Sequence, residues 1–178
     1  MPVSLAWILA LIARLIVTGC LHEDGLADFF DGFGGGTTRE RTLAIMKDSH
    51  IGSYGVIGLI CYFLLLLQLH HLPLGLLCIL VLCGDCWSKF CASQIVNYLP
   101  YARKEEDSKS KTVYNRMSWH ELLAGFLCGL LPFVLLLPIK LWIATLFPLL
   151  TFFLLYRLMK RRLQGYTGDC CGATFLLC

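Results

Sequence analysis

Residues 55–69 read GVIGLICYFLLLLQL, and after His70-His71 residues 72–96 read LPLGLLCILVLCGDCWSKFCASQIV. Crossing a ~30 Å hydrocarbon core takes a helix of about 20 apolar residues. The second of these runs is long enough. The first is short, which predicts tilt or a shared boundary. His70, His71 and Pro73 mark the turn between them. Working outward, Val3 to Leu21 is apolar with only Arg14 interrupting it. Leu122 to Pro138 and Leu141 to Leu158 complete the set, with Lys140 alone in the turn between them. The 178 residues are 57% apolar and 15% charged, with a mean hydropathy of +0.70. A soluble domain is about half apolar and about a quarter charged. The expected fold is all-α: one membrane-embedded domain over residues 1–178, a polytopic bundle of about five transmembrane helices. Short cytoplasmic helices are expected to carry the acidic motif described below.

The net charge of +3 is too small to point to nucleic acid as a partner. Charge placement says more. Arg39, Arg41, Lys47, Arg103, Lys104, Lys109, Lys111, Arg116, Arg157, Lys160, Arg161 and Arg162 fall in three inter-span segments. Alternation of five spans puts those segments on one face, and the other face carries only Lys140. The positive-inside rule makes the cationic face cytoplasmic. This predicts a multi-pass protein of the cell's inner membrane with its motif loops in the cytoplasm. Val17-Thr18-Gly19-Cys20 resembles a lipobox, but no Lys or Arg precedes the apolar run and Arg14 interrupts it, against a cleaved signal peptide.

The ten cysteines do not form a secreted disulfide framework, because the chain is neither small, polar nor loop-rich. Cys61, Cys78, Cys91 and Cys128 lie in apolar runs, where a thiol acts as a small hydrophobe. Cys83 and Cys86 have C-x-x-C spacing but no second pair to complete a zinc site. They and the adjacent Cys170 and Cys171 are read as packing residues.

The chemistry concentrates in residues 22–36, HEDGLADFFDGFGGG. Asp24, Asp28 and Asp31 are spaced i, i+4, i+7, one face of a helix. Like charges so stacked repel unless a cation bridges them. Mg²⁺ uses one or two carboxylates plus substrate phosphates. A solvated acidic face is the plain alternative, but Phe29, Phe30 and Phe33 interleave with the acids. Gly34, Gly35 and Gly36 precede Thr37 and Glu40, spaced as a capping box. A glycine turn entering a helix N-terminus offers N–H groups to an anion, with Arg39, Arg41 and Lys47 adding charge. Asp48 adds a further acid. Asp169, in Gly165-Tyr166-Thr167-Gly168-Asp169, lies on the same face, where an ordinary post-helix turn is an equal reading. Asp85 and Lys89, i and i+4 within an apolar run, are read as a structural ion pair or a functional one. Arg14 either reaches toward the acids or snorkels. Arg103 to Lys111 is read as a solvated loop.

Residues 21–28 (LHEDGLAD), Asp31-Gly32, residues 45–52 (IMKDSHIG), Leu99-Pro100-Tyr101-Ala102-Arg103, and residues 165–169 with Gly172-Ala173 together resemble the cobalamin synthase family, also called adenosylcobinamide-GDP ribazoletransferase. The resemblance runs in register from about residue 5 onward. It implies a Mg²⁺-dependent integral membrane transferase. Such an enzyme joins adenosylcobinamide-GDP to α-ribazole, or to its 5′-phosphate, and releases GMP. It also implies that Asp24, Asp28, Asp31 and Asp48 form the metal, diphosphate and catalytic site, with Asp169 as a further candidate. On residue grounds the neighbouring Gly34, Gly35 and Gly36 turn, with Arg39 and Lys47, suggests the phosphate-binding part of the same site. The implied partners are those substrates, the lipid bilayer, and another copy or other cobalamin-assembly enzymes. Measured against the family pattern, the chain is expected to be truncated at both ends, and Glu23 and Lys89 replace an apolar residue and an arginine.

Three other readings compete. A CDP-alcohol phosphotransferase would need D-G-x-x-A-R, whereas Asp24-Gly25-Leu26-Ala27 is followed by Asp28. A cation transporter would be expected to show internal repeats and broken helices. An inactive membrane subunit is the third.

Overall fold

The computed structural model describes residues 2–103 and 115–178. Most of the cationic 103–111 loop therefore lies outside the described residues. Nine α-helices run through the described residues: α1 Val3–Thr18, α2 Leu21–Gly35, α3 Arg39–Lys47, α4 Ser53–Gln68, α5 Leu74–Ser93, α6 Ile95–Tyr98, α7 Trp119–Leu136, α8 Leu146–Arg162 and α9 Gly168–Leu177. Short 3₁₀ segments, Leu69–His71 and Ile139–Thr145, make the two tight connections. Among the described residues β pairing amounts to a single bridge between Tyr101 and Tyr166.

Among the described residues, four helical segments are long and apolar enough to cross a membrane: Ser53–His71, Leu74–Tyr98, Trp119–Leu136 and Ile139–Arg162. Their Leu, Ile and Phe side chains remain mostly uncovered, with at most 28% of each segment buried inside the protein. Lipid accommodates such faces, and helices satisfy their own backbone there. The chain is a membrane protein. Sequence signals set the ends. Ser118 and Glu121 form a reciprocal capping box that starts α7. Pro132 is tolerated within α7, as prolines are in spanning helices.

The first apolar run behaves differently from the other four. It stops at Thr18, and Gly19 and Cys20 both take left-handed backbone angles, φ 61° and 57°. The chain then turns by 87° into α2. The α1–α2 pair is the fifth span only if a bent helix pair counts as one. So α2 is not a separate helix on the protein's surface. It packs against α3, α4 and α9 and buries Leu26, Ala27, Phe29 and Phe33. Leu26, Phe29 and Phe33 join Met159, Leu163, Tyr166 and Cys170 in the larger core, and Trp87, Cys91 and Phe133 form a smaller one between α5 and α7. All ten cysteines are free.

The segments bearing Lys and Arg converge at one end. Arg39 donates to the carbonyls of Leu163 and Ala102, each at 2.8 Å. Arg162 donates to the carbonyls of Phe33, at 2.9 Å, and Gly36. These last carbonyls belong to the C-terminus of α2, the negative end of its dipole.

Candidate functional site

Two short loops build the site. The amide of Ala102 donates to Tyr166 O at 2.8 Å, and the amide of Tyr166 donates to Pro100 O at 3.0 Å. Gly165 makes this pairing feasible, since a Cβ there would sit 2.6 Å from Pro100 O. The hydroxyl of Thr167 then accepts from the Cys170 amide and starts α9. The loops therefore place Arg103 beside Asp169, with Nη2 3.3 Å from Oδ2. Across the α2–α9 contact, a Cβ on Gly25 would lie 3.1 Å from the Asp169 backbone. That close approach brings Asp24, next along α2, to the same cavity.

The cavity has a volume of about 620 Å³ and is lined by α2, α5, α9 and the loops around Tyr101 and Met117. Asp24, Asp169, Lys89, Arg103 and His22 give it charge, and Val96, Met117 and Phe175 give it apolar wall. Asp24 and Asp169 thus come together from distant parts of the chain. Arg103 and Lys89 were not singled out as ligands from sequence. Arg103 looked like part of a solvated loop, yet its side chain is only 5% exposed. For Lys89 the signal was present, an ionisable residue within an apolar run. Its ammonium does pair with Asp85, at 2.6 Å, but both side chains are well exposed, so this is no buried structural bridge.

The remaining acids lie elsewhere. Asp31, seven residues or about 10 Å along α2 from Asp24, is 6% exposed. Its Oδ2 accepts from Gly52 N at 2.7 Å and its Oδ1 from Gly55 N at 2.8 Å, capping α4 from another helix. Asp31 and Asp48 line a second cavity of about 460 Å³ together with Arg41 and His50. Asp48 Oδ1 lies 2.7 Å from His50 Nδ1. That contact lowers the Asp48 carboxyl and raises the His50 imidazole from their usual ranges. Asp28, between Asp24 and Asp31 along α2, is half-buried. Among the described residues, no three His, Cys, Asp or Glu side chains gather as a cage for a metal ion.

The glycine run is placed differently from the sequence expectation. Gly34 and Gly35 are the last turn of α2, and Gly36 donates its amide to Gly32 O at 2.9 Å. The N-cap of α3 is Thr38, whose hydroxyl accepts from the Arg41 amide, and not Thr37. Because α2 runs on through the glycines, this turn presents helix C-terminal carbonyls, which attract cations. Arg39 is held by its two carbonyl bonds and Lys47 closes the last turn of α3. Glu23 is 4% exposed and pairs with Arg14 at 3.0 Å, so Arg14 does reach an acid. The other oxygen of Glu23, Oε2, is buried without a hydrogen-bond partner among the described residues.

Comparison with known proteins adds the family. The model for cobalamin-5-phosphate synthase matches residues 1–178. A protein of Shewanella amazonensis named adenosylcobinamide-GDP ribazoletransferase is 43% identical, over 97% of this chain and 68% of its own length. Proteins of the same name from Shewanella woodyi and Vibrio parahaemolyticus are 40% and 38% identical, over 98% and 97% of this chain and 69% and 66% of theirs. No solved structure matches. With a family match along its whole length and relatives at this identity, the chain belongs to the cobalamin-5-phosphate synthase family.

Proposed function

We propose that the chain joins adenosylcobinamide-GDP to α-ribazole, or to its 5′-phosphate, and releases GMP. The observation that carries this reading is the shared cavity of Asp24, Asp169, Arg103 and Lys89, with its apolar wall. A ribose hydroxyl attacks the phosphorus nearer the cobinamide, a new P–O bond forms, and the P–O bond to GMP breaks. Such a displacement needs charge neutralisation and in-line positioning more than a covalent nucleophile. The apolar wall suits a large ring substrate, and the cations suit its diphosphate.

Two carboxylates at one cavity fit Mg²⁺, which completes its shell with substrate phosphates and water. We assign it to Asp24 and Asp169, with Asp28 one turn along α2. Bound there, Mg²⁺ would supply charge neutralisation at the diphosphate. Asp31 and Asp48, expected as ligands from sequence, are assigned to holding α4 and shaping the second cavity. A carboxylate at the cavity accepts the hydroxyl proton. The cationic end of the bundle is assigned to the cytoplasm, in the inner membrane.

The test is GMP release from adenosylcobinamide-GDP plus α-ribazole by the chain in lipid nanodiscs. Release that stops with a chelator, and falls at least about a hundredfold in Asp24→Asn, supports the reading. Undiminished release in Asp24→Asn removes the site assignment. No release from the unaltered chain removes the activity.

A further inference from the structure

The cavity has a cationic side that neither the acidic motif nor the glycine run explains. Arg103 is its centre. The side chain is 5% exposed, and Nη2 reaches Asp169 at 3.3 Å. Its Nε is buried without a hydrogen-bond partner among the described residues. Leaving a buried guanidinium N–H unpaired is costly, which favours an acceptor at this position. Gly168 and Asp169, the first turn of the ten-residue α9, line the same cavity, so the positive end of a helix dipole faces it. Lys89 stands on the α5 wall, with Nζ 5.4 Å from the centre of the Phe175 ring.

We infer that Arg103, the N-terminal turn of α9 and Lys89 form an anion site for a phosphoryl group, and that Asp169 is the internal counter-ion of Arg103. The inference deepens the transferase reading and depends on it only for which phosphorylated substrate is bound. Arg suits this role because its planar fork meets phosphate oxygens with two parallel hydrogen bonds. The turn at Gly34–Gly36 is poorly suited to the role, since it is the negative end of α2, where Arg162 donates to the carbonyls of Phe33 and Gly36. Without a bound cation, Asp169 holds Arg103 in place and also competes with an arriving anion. Removing either partner of a merely structural bridge would harm the protein alike. An anion site predicts opposite signs.

The experiment measures binding of inorganic pyrophosphate to the nanodisc-held chain by calorimetry, in chelator and at fixed low salt. The unaltered chain is expected to bind. Arg103→Gln should bind roughly ten- to a hundredfold more weakly, and Arg103→Lys should recover part of the loss. Lys89→Gln, at an exposed position that leaves folding intact, should also weaken binding. Asp169→Asn should bind severalfold more tightly. Thermal unfolding of each variant checks the fold, and if Arg103→Gln does not fold, Lys89→Gln and Asp169→Asn decide by their opposite signs. Equal binding by Arg103→Gln, weaker binding by Asp169→Asn, or no binding by the unaltered chain at millimolar pyrophosphate overturns the inference. GMP release distinguishes the two readings. Arg103-dependent binding without GMP release sinks the transferase and keeps the anion site. GMP release with Arg103-independent binding does the reverse.

Discussion

Asp24 and Asp31 share a residue type and a helix face, yet their surroundings give them different work. Asp24 is exposed at the larger cavity, whereas Asp31 spends both oxygens on the amides that begin α4. Asp24→Asn should therefore leave the thermal unfolding midpoint in detergent nearly unchanged. Asp31→Asn places an amide against a backbone N–H and should destabilise by about 1–3 kcal/mol, seen as a lowered midpoint. A midpoint that moves with Asp24 and not with Asp31 would reverse these roles. His50 is the second test at this scale. Its imidazole is raised by the hydrogen bond and charge of Asp48, and Asp48 is lowered by the same contact. A raised histidine contributes stability that is present below its unfolded pKa and lost as pH rises through its folded value. A lowered carboxylate contributes stability that is present above its unfolded pKa and lost as pH falls through its folded value. The pair thus operates between the lowered Asp48 and the raised His50 values. An NMR titration in metal-free buffer should place His50 above 6.5, and Asp48→Asn should bring it back.

At the scale of elements, the decisive contacts are between helices and loops remote in the chain. The 100–102 loop and the 165–167 turn are held by two backbone hydrogen bonds, and Gly165 has no room for a side chain. Gly165→Val should push the loops apart, separate Arg103 from Asp169, and lower both GMP release and the unfolding midpoint. A variant with unimpaired release would show that this pairing does not set the site. The bend between α1 and α2 follows the same logic. Two consecutive left-handed residues end α1 early, so α2 turns into the protein and can pack against α4 and α9.

For the whole molecule, the end where Arg39 meets Leu163 and Ala102, and Arg162 meets α2, gathers three segments that are far apart in the sequence. The cytoplasmic assignment of this end predicts a cytoplasmic reporter signal for fusions after Arg162 and an external one for insertions at His70–His71. Lysines added at residues 70–71 should weaken that orientation, read as mixed reporter signals. A clean reversal of both signals would overturn the assignment.

The helical class, four of the spans and the membrane setting were legible in the sequence. Each depends on local hydropathy, and lipid leaves a spanning chain little choice beyond a helix. The acidic helix was legible for the same reason, since spacing alone puts Asp24, Asp28 and Asp31 on one face. Spacing could not divide those acids between two cavities, because that depends on which helix packs against each turn of α2. It could not show that Gly34 and Gly35 extend α2, nor that Thr38 caps α3, since glycine suits both a helix end and a turn. Arg103 looked like one cation in a charged loop, and only the pairing of its loop with Tyr166 buries it beside Asp169. Burial and partnership are long-range properties. They arise when distant segments close on one another, and no window of sequence contains them.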